Sequence, residues 1–210
     1  MPPTVAATDS GQDLAKAQKI LLESGDWSDL TIKCRDRTWR VHRNIVCARC
    51  DFFKAACSGS FSEATSKIIT LDDDPPTGVE LMLEYIYTMK VPVICTFDSA
   101  KEMYMLGDKY NLPPLRTAGF TTLCTVIKST CIVYSVKGKL DRMIAMVEDI
   151  WSASEVDQLS HGAFKSAALE GLRVPARSLL DEVDFQSLIW RNKSFGLAFM
   201  KEMMGTSRTK

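Results

Sequence analysis

The alternation of apolar and polar residues over positions 28–91 predicts short strands and helices in close succession. Two runs rich in β-branched and aromatic residues flank the charged turn residues Arg35, Asp36 and Arg37, which is typical of a β-hairpin. A helix pair with apolar positions at Val46, Cys50 and Phe53 and a short β run at 67–71 follow. The next segment has the i, i+3, i+4 and i+7 spacing of an amphipathic helix, with Val79, Met82, Leu83 and Ile86 on its apolar face.

The acidic run of Asp72, Asp73 and Asp74 has two possible interpretations. Three neighbouring carboxylates resemble a cation site, but Pro75 and Pro76 follow directly. An acid at the N-cap and a proline in the first turn are typical of a helix start, and we favour that interpretation. Beyond the helix, residues 91–93 read as a short edge strand, where proline is tolerated.

Helical spacing extends on both sides of this region. Residues 13–24 predict a helix that ends at Gly25, and two further helices are predicted between positions 97 and 127, meeting at 111–114. Residues 129–138 fit either a strand or a helix end. The last 70 residues are predicted to be helical, with apolar faces that include Leu140, Met143, Ile144, Val147, Trp151, Phe185, Leu188, Ile189, Phe195, Phe199 and Met203.

Composition excludes several classes of function. The 210 residues include 46% apolar residues, enough for a core, and 26 basic against 26 acidic residues, so the basic surplus of a nucleic-acid platform is missing. Residues 1–13 are small and polar, unlike a signal peptide, and the longest apolar span, 120–136, is too broken for a membrane span. Seven irregularly spaced cysteines favour reduced thiols in the cytoplasm or nucleus.

Five short pieces of the chain together resemble the BTB domain, also called the POZ domain. Their order and spacing match that family over about half the chain, at residues 25–30, 41–46, 51–53, 61–63 and 85–88. The resemblance implies an α+β fold in which a small mixed β-sheet is capped by helical hairpins, followed by an all-α extension. The domain organisation expected on this basis is a disordered tail at 1–12, a BTB/POZ domain at 13–127 with its core at 26–95, a helical extension at 138–204 and a disordered tail at 205–210.

The family resemblance also implies a homodimer. A helix at 13–24 lies against its counterpart from a second subunit in the family, which assigns Leu14, Ala17 and Leu21 to the dimer contact; the alternative is a helix that packs only on its own domain. Asp29 and Arg43 match the positions of a charged pocket at the dimer seam. A buried pair of this kind serves partner choice more than stability, whereas an ordinary half-exposed ion pair contributes about 0–1 kcal/mol.

Phe61, Ser62 and Glu63 match a loop that contacts the cullin scaffold in family members that act as ubiquitin-ligase substrate adaptors. An exposed apolar anchor with a charge at its rim suits such a contact; the alternative is a Phe61 that tucks into the core. The predicted function is therefore a self-associating module that recruits a cullin and an unidentified protein substrate. The alternative is a BTB dimer that acts as a transcriptional regulator or scaffold without binding a cullin.

No catalytic, cofactor or metal site is predicted. Cys47 and Cys50 form a CxxC pair, but the second ligand pair of a structural zinc site is missing, and buried cysteine behaves as a small hydrophobic residue. His42 has no serine, cysteine or acid at a recognisable catalytic spacing, so a structural role is expected. Phosphate-binding and hydrolase motifs are also missing from the sequence.

Overall fold

The computed structural model of the chain describes residues 10–58, 65–93, 96–133, 140–152 and 158–205. Within these ranges the chain is α+β, as the sequence predicted. Its elements in chain order are α1 (Ser10–Ser24), β1 (Leu30–Cys34), β2 (Arg37–Val41), α2 (Arg43–Arg49), α3 (Asp51–Cys57), β3 (Ile68–Thr70), α4 (Pro76–Thr88), α5 (Phe97–Lys109), α6 (Pro113–Val133), α7 (Leu140–Ser152), α8 (Gln158–Leu172), α9 (Ala176–Leu179), α10 (Val183–Arg191) and α11 (Lys193–Gly205).

The three strands form one mixed sheet in the order β2-β1-β3. The predicted hairpin is confirmed: β1 and β2 are antiparallel, with Ile32 opposite Trp39. On its other edge β1 pairs in parallel with β3, which places Ile32 beside Ile69. Ile32 therefore lies at the centre of the sheet, and its side chain is fully buried.

Alternation along β1 directs one side of the sheet into the core. Leu30, Ile32 and Cys34 are buried, while Lys33 between them is exposed, as the two-residue period of a strand requires. The predicted apolar face of α4 is confirmed, because Val79, Met82, Leu83 and Ile86 are all buried in the same core.

The chain divides into two compact units, Met1–Gly119 and Phe120–Lys210, and the division falls inside α6. The second unit has a core of helix faces that the sequence predicted. Met143 and Val147 of α7 are buried, and Phe195 and Phe199 are buried on α11. Trp151 contacts Phe195 edge to face, with 5.0 Å between ring centroids.

Two predicted features differ from the structure. Residues 91–93 form no strand in the described part of the chain, because they pair with neither β2 nor β3, the two edge strands of the described sheet. The N-cap of α4 is Pro75 and not an acid. Asp74 instead turns inward, where its carboxylate accepts hydrogen bonds from Lys109 and Tyr110.

The sequence left residues 129–138 open between a strand and a helix end, and the structure decides this for the first part of the segment. α6 continues to Val133, so the start of the 129–138 segment is helical, and 134–138 lie outside the described residues. Among the helices that the structure describes, none combines the length and apolarity needed to span a membrane.

Candidate protein-interaction surface

The first helix leaves a row of apolar side chains uncovered. Leu14 and Ile20 are 58% and 61% exposed, Ala17 is exposed, and Leu21 is partly buried. Successive members are three or four residues apart, or adjacent, so they share one side of α1. We name this set, Leu14, Ala17, Ile20 and Leu21, the α1 stripe. It includes the three residues that the sequence assigned to a dimer contact.

A different side of α1 holds the helix on its own unit. Ala15 is buried and Leu22 packs against the core. The Lys19 ammonium lies 2.7 Å from a Glu84 carboxylate oxygen of α4. Leu21 packs against the core as well, so this docking leaves Leu14, Ala17 and Ile20 of the α1 stripe exposed in the part of the chain that the structure describes.

Arg49 fixes the end of α4 beneath α1. Its guanidinium donates to the backbone carbonyls of Ile86 and Tyr87 at 2.7 and 2.6 Å, and to the Gln18 side-chain oxygen at 3.3 Å. The last carbonyls of a helix have no hydrogen-bond donor within the helix. Arg49 supplies donors for two of these carbonyls in α4 and also links α4 to α1 through Gln18.

Gly25 ends α1, as predicted. Its N–H donates to the Leu21 carbonyl at 2.9 Å, and its φ of +64° is the left-handed conformation that glycine adopts without strain. A Cβ at this position would lie 2.7 Å from Nε of Arg40. Trp27 lies in the loop that follows α1, and its side chain is exposed.

Asp29 and Arg43 are neighbours, although each bonds to backbone. The exposed Asp29 carboxylate accepts from the Arg43 N–H at 2.8 Å, in the first turn of α2, where negative charge is favoured by the helix dipole. The Arg43 guanidinium donates to the Cys57 carbonyl at 2.8 Å. Within one chain the pair thus organises the start of α2. The charged pocket at the dimer seam stays a prediction, because Asp29 would be desolvated only if a second subunit covered it.

His42 has a structural role, as expected. The residue is buried, its Nε2 lies 2.6 Å from the Asp26 carbonyl oxygen, and its Nδ1 lies 2.8 Å from the Tyr87 hydroxyl. A carbonyl can only accept, so Nε2 carries the proton and the Tyr87 hydroxyl donates to Nδ1. Burial raises the pKa of Tyr87 to about 12. One ring nitrogen therefore links the end of β2 to α4, and the other links it to the loop between α1 and β1.

The CxxC cysteines occupy the core beside the α2–α3 break. Cys50 is buried at the extended residue between the two helices, and the Cys47 thiol donates to the Phe53 carbonyl at 3.4 Å. The residues that the structure describes contain no group of three metal-ligating side chains. Burial raises the pKa values of Cys47 and Cys131 to about 12, which disfavours the reactive thiolate.

Slow alkylation is the expected behaviour of these thiols. At pH 7.4, Cys47 and Cys131 should react with iodoacetamide at least about 100-fold more slowly in the native chain than in urea, because the thiolate fraction falls as the pKa rises. Because the thiolate fraction rises about tenfold per pH unit below the pKa, the rate in the native chain should continue to rise until about pH 12, whereas the rate in urea should level off above about pH 8.5. Mass spectrometry of timed samples measures this, in a Cys95→Ser background because Cys95 lies outside the described residues. Labelling of Cys47 at the unfolded rate would contradict the prediction.

The predicted cullin-contact residues Phe61, Ser62 and Glu63 lie outside the residues that the structure describes. The structure adds Ile20 and Trp27 to the exposed apolar surface near the start of the chain. The sequence did not single out these two residues as surface, because exposure depends on which side of α1 docks. Their hydrophobicity within a polar segment was the available signal.

Comparison with known proteins shows which family the first half of the chain is similar to. Residues 19–126 match the family model for the BTB/POZ domain. The chain is 29% identical over 106 residues to Kelch repeat and BTB domain-containing protein 4 of Mus musculus, covering 50% of this chain and 20% of that protein. It is 28% identical over 123 residues to BTB/POZ domain-containing protein 9 of Bos taurus, covering 55% and 20%. The matched segment thus spans about a fifth of the length of these relatives.

Proposed function

Because this chain belongs to the BTB/POZ domain family, a family of protein–protein interaction modules and not of catalytic domains, we propose that it self-associates and serves as the substrate adaptor of a cullin-RING ubiquitin ligase in the cytoplasm or nucleus. The observation that carries self-association is the α1 stripe, an apolar surface on which Leu14 and Ile20 are not covered by the described residues. The cullin contact rests on the sequence motif of Phe61, Ser62 and Glu63, which lies inside the family match.

A two-fold dimer is the arrangement that suits the α1 stripe. In such a dimer the same patch faces itself, so one stripe supplies both sides of the contact. Burial of Leu14, Ile20 and Leu21 from both copies removes apolar surface from water, which stabilises association by roughly 25 cal/mol per Å². The dimer then presents two copies of every partner site, which increases avidity.

Charges placed in the α1 stripe should separate the subunits. We expect Leu14→Glu combined with Ile20→Glu, both at exposed positions, to weaken dimerisation at least about 100-fold, a loss of about 2.7 kcal/mol, because burial of unpaired carboxylates is costly. Light scattering after size exclusion gives the mass of each variant. Thr77→Glu, an exposed change in the first turn of α4, is the matched control and should leave the mass unchanged. A double variant that dimerises like the wild type would refute the role of α1.

Cullin binding is tested at the motif itself. We expect Phe61→Ala combined with Glu63→Ala to reduce capture of recombinant cullin scaffolds at least about tenfold, since removal of a central apolar anchor typically costs at least 2 kcal/mol. Quantitative pull-down measures the change, with Asp73→Ala, an exposed change outside the motif, as the control. Equal capture by the double variant and the wild type would refute the adaptor role. A dimer that captures no cullin would favour the alternative of a regulatory scaffold.

A further inference from the structure

The last helix of the second unit is apolar on two sides. Phe195 and Phe199 of α11 are buried in the core of that unit. A second row of apolar residues points away from this core, with exposed fractions of 58%, 49% and 65%. We name this row, Leu197, Met200 and Met204, the α11 stripe.

The contacts of α11 fix which side faces outward. A Cβ at Gly196 would lie 2.7 Å from the Ile189 carbonyl oxygen, so α11 crosses α10 at very close range. The Asn192 side-chain oxygen accepts from the Phe195 N–H at 3.1 Å and caps the start of α11. With the helix fixed at its crossing point and at its beginning, the α11 stripe cannot turn inward without removing the two phenylalanines from the core.

The surroundings of the α11 stripe are basic. Lys193 precedes Leu197 by four residues and Lys201 follows it by four, so both lysines lie along the same side of the helix, and both are exposed. Glu202 lies on the other side, 3.6 Å from Arg173. Within α11 the two lysines are the basic residues and Glu202 is the acidic residue. The outward side of α11 is thus apolar with positive flanks.

We propose that the α11 stripe binds an acidic amphipathic helix of a partner protein. The stripe covers seven residue steps, about 10 Å of helix, which matches the apolar side of a helix with anchors at i, i+3 or i+4, and i+7. Two methionines give a surface that adapts to different partner side chains. Glutamates that flank the partner's apolar row would pair with Lys193 and Lys201.

Charge disfavours a second copy of α11 as the occupant. Two stripes facing each other would bring the lysines of both copies together, and like charges across an interface are costly. The inference rests on the proposed function, because it assigns partner recruitment to the second unit, but its test does not depend on dimerisation or on cullin binding.

The test uses two synthetic peptides and the full chain. Both peptides have leucines at i, i+3, i+4 and i+7; one carries glutamate and the other lysine at the remaining positions. By fluorescence anisotropy, the acidic peptide should bind with a Kd on the order of 10 µM, and binding should weaken as salt increases. Leu197→Glu combined with Met200→Glu should weaken it at least tenfold. Lys193→Glu combined with Lys201→Glu should reverse the preference toward the basic peptide. Arg142→Glu, an exposed change on α7, should have no effect.

Results of two kinds, from peptide binding and from self-association, would overturn the inference. One is equal binding of both peptides, or binding that Leu197→Glu with Met200→Glu leaves unchanged. The other is self-association that this double variant abolishes, which would assign the α11 stripe to a contact between copies. A monomeric chain that still binds the acidic peptide at α11 would refute the proposed dimer and leave this inference intact.

Discussion

Replacement of Asp74 by alanine is expected to lower the free energy of unfolding by about 3 kcal/mol. The Asp74 carboxylate is buried in the core of the first unit, where one oxygen accepts from Lys109 Nζ at 2.7 Å and the other from the Tyr110 hydroxyl. Its backbone carbonyl also accepts from the Cys34 thiol at 3.2 Å. Burial and the hydrogen bond to Asp74 both raise the pKa of Tyr110, so the hydroxyl stays a donor. Without the carboxylate, this buried donor is left unsatisfied.

Urea unfolding at fixed protein concentration measures the effect. Asp73→Ala changes an exposed residue of the same acidic run, and it should alter stability by no more than about 0.5 kcal/mol. Adding Tyr110→Phe to Asp74→Ala should recover part of the loss, because the stranded hydroxyl is then absent. Equal stability of Asp74→Ala and Asp73→Ala would show that the inward hydrogen bonds contribute nothing.

Gly107→Ala should be comparably damaging, at about 3 kcal/mol. Gly107 is buried where α5 meets the start of α6. A Cβ there would lie 2.4 Å from the Arg116 backbone nitrogen and 2.7 Å from its Cα. Backbone atoms cannot rotate away as a side chain can, so α5 and α6 would have to separate. Gly119 makes the reciprocal approach, where a Cβ would lie 2.5 Å from the Tyr104 nitrogen.

Gly162→Ala is the matched control for this substitution. Gly162 is exposed within α8, and a Cβ there meets no atom within 4 Å. Because alanine favours the helix over glycine, this change should stabilise the chain by roughly 0.5–1 kcal/mol. Opposite signs for the two glycine substitutions are the expected result. A Gly107→Ala protein as stable as the wild type would contradict the close helix crossing.

Local patterns were sufficient to predict much of the fold. The hairpin around Arg35, Asp36 and Arg37 and the i, i+3, i+4, i+7 face of α4 each depend on neighbouring residues alone. Both elements are present, and the four predicted residues of α4 are buried. The break between α5 and α6 was also predicted, since Pro113 follows the left-handed residue Asn111 closely in sequence.

The errors arose where distant residues decide the outcome. Asp74 resembled an N-cap in sequence, but Tyr110 and Lys109, more than 30 residues away, draw its carboxylate inward. Residues 91–93 had strand-like composition, but they pair with neither edge strand of the described sheet, and pairing depends on residues distant in sequence. The candidate surface shows the same limit: periodicity located the apolar side of α1, but only the docking of Ala15 and Leu22 shows that Leu14 remains exposed.

The first unit supports α1 and presents its exposed side. A buried sheet and α4 form a rigid support, and α1 is held on it by the Lys19–Glu84 ion pair and by Arg49. The support presents apolar side chains outward that a monomer would leave in contact with water. A surface of this kind marks an interaction site, and its occupant determines what the protein does.

The mass of the wild-type chain in solution tests this central claim most directly. Light scattering after size exclusion, with the protein at tens of micromolar, should give twice the chain mass of 23.4 kDa. Dilution into the nanomolar range should shift the mass toward that of one chain by mass action. A mass of 23.4 kDa at the highest concentration would contradict self-association through α1.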